Sequence, residues 1–430
     1  MNTENLTPFG HRLRETVKEA WKRPYYREHW KLSNLEDALA LVDRGRLDAL
    51  PVLRKTDIRD HWEGLIDPAN CVDVVSSSGT TGRPVDVPIH RVDSLNRIHA
   101  VRRTLEELGV REGSRILIMF NLNDLFAFGP QVWEAAKSLG AITLRGSGAR
   151  VGRMLQLCEQ WRPEFVVGNP QVLIRVSEEA GASWPDTSLL PSRALYAAAA
   201  TFDNDCKPTA LAQQMVERWG LTEYLNHLGC SETGPVAVEC KLHRGAHVHD
   251  DFLYAQLVDP VTGELITDAR TPGELVVTAL TWPRGFIPVR YSTGDIVGWL
   301  DRSPCACGRT SPRLGPVIGR IDDQLKFESQ SMYPELLLGV VDKCPLIANA
   351  VVRASKNVVG DFVEVLVVPA PGAEAEAAVA QAKTALSRII AVLPTIVVVE
   401  AEELRALQEE TLKRTNGSKM TRFFDLRRSR

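Results

Sequence analysis

The sequence predicts an α/β protein, a largely parallel sheet layered with helices, with a smaller α+β unit behind it. Three observations carry that expectation. Between residues 95 and 168, amphipathic helical stretches alternate with short apolar runs, the order that builds parallel sheets through crossover helices. Between 251 and 300 the texture changes to strand-like runs joined by turns such as Asp259-Pro260-Val261-Thr262-Gly263, which predicts antiparallel sheet or a small β-barrel-like subdomain. Beyond Gly319 a strand–helix–strand order suits a ferredoxin-like α+β unit. The expected units are therefore 1–320 and 321–430, with the boundary at Arg320-Ile321-Asp322.

Taken in order, 95–108 predicts an amphipathic helix and 115–120 an apolar strand. A helix over 131–139 leads to a strand at 141–144, and a helix over 155–160 leads to a strand at 165–168. The antiparallel region contributes strands at 254–258 and 273–278. In the last unit the expected elements are a helix over 333–341, strands at 348–353 and 362–368, an Ala-rich helix over 373–393 and a β-branched strand at 395–400. No internal repeat is present, and the Ala/Glu stretch at 373–378 reads as a helix start.

Composition narrows the function classes. At 430 residues, two domains are the first expectation. The 51 Lys+Arg nearly balance 54 Asp+Glu, a net charge of −3, which argues against a dedicated nucleic-acid binder. No apolar run reaches the ~18 residues of a membrane helix, and Met1 to Leu6 lack the basic-then-apolar pattern of a secretory leader. The expectation is a soluble cytoplasmic protein without membrane or nucleic-acid partners. Among eight cysteines, Cys305 and Cys307 form a close pair, and in a reducing compartment that suggests metal before disulfide.

Four short features carry chemistry. Ser76-Ser77-Ser78-Gly79-Thr80-Thr81-Gly82-Arg83-Pro84 combines two glycines with five hydroxyls, so consecutive N–H groups and hydroxyls can wrap a phosphate. It is no Walker A loop, and the bland alternative is a flexible surface loop. Gly229-Cys230-Ser231-Glu232-Thr233-Gly234 sets a carboxylate among small residues; an oxygen ligand there suits Mg²⁺, whereas Glu232 alone reads as an ordinary turn residue. Arg290-Tyr291-Ser292-Thr293-Gly294-Asp295 places a carboxylate after glycine, as dinucleotide folds do to hold ribose hydroxyls, although Thr-Gly-Asp is also a common turn. Gly319-Arg320-Ile321-Asp322-Asp323 marks the boundary between the units.

In this order the four features resemble the adenylate-forming superfamily of acyl-CoA synthetases, luciferases and peptide-synthetase adenylation domains. Within it the chain is most similar to phenylacetate-CoA ligases, through Pro24-Tyr25-Tyr26-Arg27, Pro51-Val52-Leu53-Arg54-Lys55-Thr56-Asp57, Glu239-Cys240, Gly245-Ala246-His247 and Cys305-Ala306-Cys307-Gly308-Arg309. The resemblance implies an adenylate-forming enzyme fold. It implies that Ser76, Ser77, Ser78, Gly79, Thr80, Thr81 and Gly82 hold the ATP phosphates, with Glu232 on Mg²⁺. Asp295 would bind the ribose and Arg320 lie near ribose and phosphate, with Ala199, Gly229 and Ser231 also lining the nucleotide. Asp322 falls at the hinge, and Lys419, in Asn416-Gly417-Ser418-Lys419-Met420, matches the terminal catalytic lysine; by itself it reads as a solvated tail lysine.

The sequence also departs from the family. Arg83 stands for the usual Lys, Leu228 for the aromatic beside adenine, and Ser292 for a common Arg. Ala198-Ala199-Ala200-Thr201 lacks an acidic residue, and Glu328-Ser329 replaces Arg-Gly near the expected thiol site.

Cys240, His247, Cys305 and Cys307 form a candidate closed structural zinc site, with His249 or His243 able to replace His247 and unligated thiols as the alternative. For the acid, Phe126 and Phe128 can flank an aromatic ring, Ala198 leaves room and His227 can meet a polar substituent; aromatics at such spacing are more often simply core, and a histidine before a glycine turn is as easily a structural one. The expected reaction joins an aromatic acid, of anthranilate, benzoate or arylacetate type, to AMP and then to coenzyme A. Two alternatives remain: a carrier-protein or amine acceptor, with a ketosynthase downstream, and a non-catalytic nucleotide-binding relic.

Overall fold

In a computed structural model, residues 9–77, 84–120, 122–123, 125–148, 150–282, 284–327, 330–356, 361–414 and 420–428 are described. A nine-stranded mixed sheet organises the first three-quarters of the chain. Five of its strands run parallel, in the spatial order Glu223–Cys230, Arg193–Ala197, Phe165–Gly168, Arg115–Ile118 and Ile142–Arg145. The runs Ile116-Leu117-Ile118 and Phe165-Val166-Val167 are almost free of solvent, as expected of strands covered on both faces. Helices Arg91–Glu107 and Phe128–Ser138 contribute to one apolar cluster, and Val151–Trp161, Pro170–Ala180 and Ala210–Trp219 to a second. Beyond Glu223–Cys230 the sheet changes sense: Gly234–Glu239 pairs antiparallel to it, followed by Ala246–Val248, Arg313–Leu314 and Leu300–Asp301.

The texture change near 251 is an open antiparallel sheet of four strands, Leu253–Val258, Gly273–Ala279, Tyr291–Val297 and Val317–Arg320. The barrel-like expectation is corrected: among the described residues the sheet does not close, because Leu253–Val258 and Val317–Arg320 lie at opposite edges. Helices Gly10–Trp21, Pro24–Trp30 and Leu35–Asp43, which the sequence reading did not anticipate, share the large apolar cluster of this sheet.

Residues 325–425 hold their own apolar clusters around a sheet ordered Thr395–Val398, Asp361–Pro369, Ile347–Lys356 and Phe423–Asp425. The long central pair is antiparallel and both outer strands join in parallel. The helix expected over 373–393 is shorter, Ala375–Leu386; beyond Ser387 the bonds tighten to three-residue spacing, Ile389 N–H donating to Leu386 O at 3.0 Å, and the chain leaves the helix as a turn. Helix Ala401–Arg414 and strand Phe423–Asp425 were not anticipated. No helix among the described residues is long and apolar enough to cross a membrane.

Candidate active site

Glu232 sits where the large sheet reverses sense, in the turn after strand Glu223–Cys230. Loops beyond the carboxyl ends of parallel strands are the usual ligand sites of α/β sheets. Its side chain is buried, and Lys55 Nζ lies 2.9 Å from Oε1. Burial pushes this carboxyl up, but the Lys55 charge and hydrogen bond outweigh it, and the net shift is below the ordinary value. The fully buried Tyr291 hydroxyl also reaches Glu232, and burial and that carboxylate hold the phenol neutral.

Lys55 opens helix Lys55–Asp60, and strand pairing fixes its approach. Leu53 N–H donates to Arg290 O at 2.9 Å and Ser292 N–H donates to Leu53 O at 2.8 Å. Arg54 grips the buried Glu274 carboxylate through two bonds, 2.7 and 3.2 Å.

The hydroxyl-rich loop leaves from a hairpin, Cys71–Ser76 with Asp86–His90. Ser77 closes its neck: its N–H donates to Val85 O at 3.0 Å, and its Oγ accepts from Val85 N–H at 2.9 Å. Ser231 Oγ donates to Ser76 O at 2.9 Å, tying the neck to the Glu232 turn. Ser78, Gly79, Thr80, Thr81, Gly82 and Arg83 lie outside the described residues, as do Glu328, Ser329 and Lys419.

Asp295, on strand Tyr291–Val297, stands opposite Arg320 in register, and Arg320 Nη1 meets Asp295 Oδ1 at 2.6 Å. Arg320 is raised first by Asp295, with smaller contributions from Asp323, Cys230 and Glu232. Glu232, Asp295 and Arg320 thus share one electrostatic neighbourhood. Burial pushes the Cys230 thiol up to about 12, with the Glu232 charge adding to it. This cysteine remains a neutral thiol rather than a nucleophile. Ala198 takes the left-handed turn that follows strand Arg193–Ala197, and Asn226 Nδ2 donates to Ala199 O at 2.7 Å. Asp322 is exposed in the short turn Ile321–Asp323.

The structure brings Phe126, Phe128 and His227 into one aromatic cluster. The rings of Phe128 and His227 stack 4.3 Å apart at 20°, and Phe120 lies 5.8 Å from Phe126 and 5.3 Å from Phe128. His227 is buried, and its Nδ1 has no partner among the described residues. Burial pushes its pKa down to about 3, so the ring is neutral.

Cys240, His247, Cys305 and Cys307 place their ligand atoms within 4.8 Å of one another. Cys240 Sγ and Cys305 Sγ are 3.8 Å apart; Zn–S bonds of about 2.3 Å at a tetrahedral angle put sulfurs about 3.8 Å apart. His247 presents Nε2 to Cys307 Sγ at 3.2 Å, while Nδ1 lies 3.1 Å from Ser311 O and Oγ. A donated Nδ1–H leaves the Nε2 lone pair facing the thiols, the usual arrangement behind a metal-bound imidazole. His243 instead bonds Glu239 at 2.7 Å and His249 faces Arg103, so His247 is the histidine of the cluster.

Sequence reasoning gave no role to Lys55, Tyr291, Arg97 or Arg284. Lys55 and Tyr291 lie within strings already singled out, but their partner Glu232 is distant in sequence, and Arg97 and Arg284, two cations among 51, reach carbonyls at 231–233 that no local pattern points to.

The layered sheets and the smaller α+β unit make up the adenylate-forming enzyme fold. Known structures share the fold: 2-hydroxyisobutyryl-CoA ligase in complex with 2-HIB-AMP aligns at TM-score 0.77 and 19% identity, over 94% of this chain and 91% of that one. The anthranilate CoA ligase AuaEII in complex with anthranoyl-AMP aligns at 0.55 and 18%, over 77% and 64%. No family model matches the chain. The phenylacetate-coenzyme A ligase of Thermus thermophilus is 32% identical over 78% of this chain and 74% of its own, and that of Pseudomonas putida is 28% identical over 75% and 72%. The chain belongs to the phenylacetate-coenzyme A ligase family, and with it to the AMP-forming acid–thiol ligases.

Proposed function

We propose that the protein is an ATP-dependent aryl-CoA ligase that adenylates an aromatic carboxylic acid and passes the acyl group to coenzyme A. The observation that carries this reading is the Ser231–Ser76 hydrogen bond of 2.9 Å, which joins the neck of the hydroxyl-rich loop to the buried Glu232 turn. A carboxylate oxygen of the acid attacks the ATP α-phosphorus and pyrophosphate leaves. The thiol then attacks the acyl carbon, the acyl C–O bond breaks and AMP departs.

In this reading Ser76 to Gly82 hold the phosphates and Glu232 holds Mg²⁺, which when bound screens phosphate charge. The Lys55 ammonium 2.9 Å from Glu232 keeps that carboxylate ionised and adds positive charge beside the phosphates. Asp295 accepts from the ribose hydroxyls; its partner Arg320 lies 2.6 Å away, within the same field. Ala199, Gly229 and Ser231 line the nucleotide. Lys419 supplies a cation to adenylation from residues 321–430, a mobile unit turning about Asp322 behind the adenylating unit 1–320. The Cys240–His247–Cys305–Cys307 spacing favours zinc, and four protein ligands leave no open position, so its role is structural.

The stacked Phe128–His227 pair supports a flat acid, of anthranilate, benzoate or arylacetate type, with Phe126 and Ala198 beside it. Free coenzyme A is the proposed acceptor; no observation favours a carrier protein, an amine or a downstream ketosynthase. Product analysis with a panel of aromatic and alkyl acids, ATP, Mg²⁺ and coenzyme A tests the reading. Aryl-CoA, AMP and pyrophosphate in equal amounts are expected; aryl-AMP accumulating without thioester, or turnover of alkyl acids alone, contradicts it.

A further inference from the structure

Behind the Glu232 turn lies an ionic cluster that the reaction scheme does not use. Asp93, Arg97 and Arg284 are 2, 3 and 2% exposed. Asp93 Oδ2 meets Arg97 Nε at 3.0 Å, one helical turn away on Arg91–Glu107, and Asp93 Oδ1 meets Arg284 Nη2 at 2.9 Å. Two guanidiniums thus share one carboxylate, and burying charge in this way costs more than apolar packing of similar volume. Three other donors point at consecutive carbonyls of one turn: Arg97 Nη1 to Ser231 O at 2.9 Å, Arg97 Nη2 to Glu232 O at 3.4 Å, and Arg284 Nη1 to Thr233 O at 3.4 Å. Gly234 closes the turn with φ +83°, and a Cβ there would stand 2.9 Å from Arg97 Cγ. Arginine can pack this close only because that residue is glycine.

We propose that Asp93, Arg97 and Arg284 are positioning residues for adenylation, holding the Ser231–Glu232–Thr233 backbone so that the Glu232 carboxylate stays aimed at the cation and phosphates. This rests on the reading of Glu232 as the Mg²⁺ ligand. The forks act through the turn and touch no substrate. A planar guanidinium spans two carbonyls where an ammonium reaches one, so Arg97→Lys keeps the charge and loses the clamp. A displacement of about 1 Å near the reacting atoms is worth up to about a hundredfold in rate.

The test is pyrophosphate release as a function of Mg²⁺ concentration in Arg97→Lys, Arg284→Lys, Glu232→Gln and the Arg97→Lys/Glu232→Gln double variant, with melting temperature and circular dichroism alongside. Arg284→Lys loads the same turn from its other end, so one folded arginine variant is enough. The expected result is a rise of at least about tenfold in half-saturating Mg²⁺ for Arg97→Lys and for Arg284→Lys, a smaller loss of rate at saturation, and near-normal thioester formation from supplied aryl-adenylate. The double variant should be no worse than Glu232→Gln alone, since both act at one group. Folded Arg97→Lys or Arg284→Lys with unchanged Mg²⁺ dependence, while Glu232→Gln shifts it, overturns the positioning role alone. Glu232→Gln with unchanged Mg²⁺ dependence overturns the metal assignment, and the positioning role with it.

Discussion

His227 and Lys419 carry the two residue-scale tests. His227 is buried against Phe128, with His249 the next ring at 6.4 Å. Its pKa falls from 6.5 to about 3 on folding because burial penalises the charged ring. A depressed histidine contributes no pH dependence above 6.5. Below it the unfolded chain takes up a proton that the folded ring refuses, so stability falls with pH until about 3, by up to about 1.4 kcal/mol per pH unit. His247 and His249 shift the same way. Urea unfolding at a series of pH values should therefore show a shallower acid loss in His227→Phe than in wild type; equal slopes contradict a buried neutral ring. For Lys419, one cation aimed at transition-state charge is worth about 3–4 kcal/mol. Lys419→Ala should slow pyrophosphate release about 10²–10³-fold, while thioester formation from supplied aryl-adenylate stays near normal.

At the scale of elements, the Cys240–His247–Cys305–Cys307 cluster joins strand Ala246–Val248 and the end of Gly234–Glu239 to the 305–309 turn, where Cys305 N–H donates to Arg309 O at 3.0 Å. Protein purified without chelator should carry close to one zinc per chain by elemental analysis. Cys305→Ser should lose the metal and several degrees of melting temperature, while the rate per folded molecule is preserved, because a closed site binds no substrate. Zinc content far below one in the wild type contradicts the assignment.

Elements also show what the sequence makes legible. The parallel strands Arg115–Ile118 and Phe165–Gly168 were readable because apolar runs bounded by helices leave few alternatives. Phe423–Asp425 was not: three residues carry no period, and pairing with Ile347–Lys356 creates the strand. The site divides the same way. Glu232 and Asp295 stand in local strings whose order along the chain is informative, whereas Lys55 gains its role from the Leu53–Tyr291 bridge across the fold.

For the whole molecule, the proposed mechanism needs two arrangements of 321–430, one for each half-reaction. A change of this kind concentrates in a few hinge residues, and Asp322 is exposed in a three-residue turn directly after strand Val317–Arg320. Fixing its φ with proline should trap one arrangement: Asp322→Pro should keep pyrophosphate release and lose most thioester formation in single-turnover assays. Normal thioester formation in that variant contradicts the hinge.

In the proposed reaction an acyl–O–phosphate bond to AMP precedes the thioester. Benzoate or phenylacetate labelled with ¹⁸O in its carboxylate tests it most directly, with the AMP product read by mass spectrometry after one turnover with coenzyme A. One ¹⁸O atom is expected in the AMP phosphate, left there when sulfur displaces the acyl oxygen. Unlabelled AMP, or label recovered in inorganic phosphate beside ADP, would contradict it.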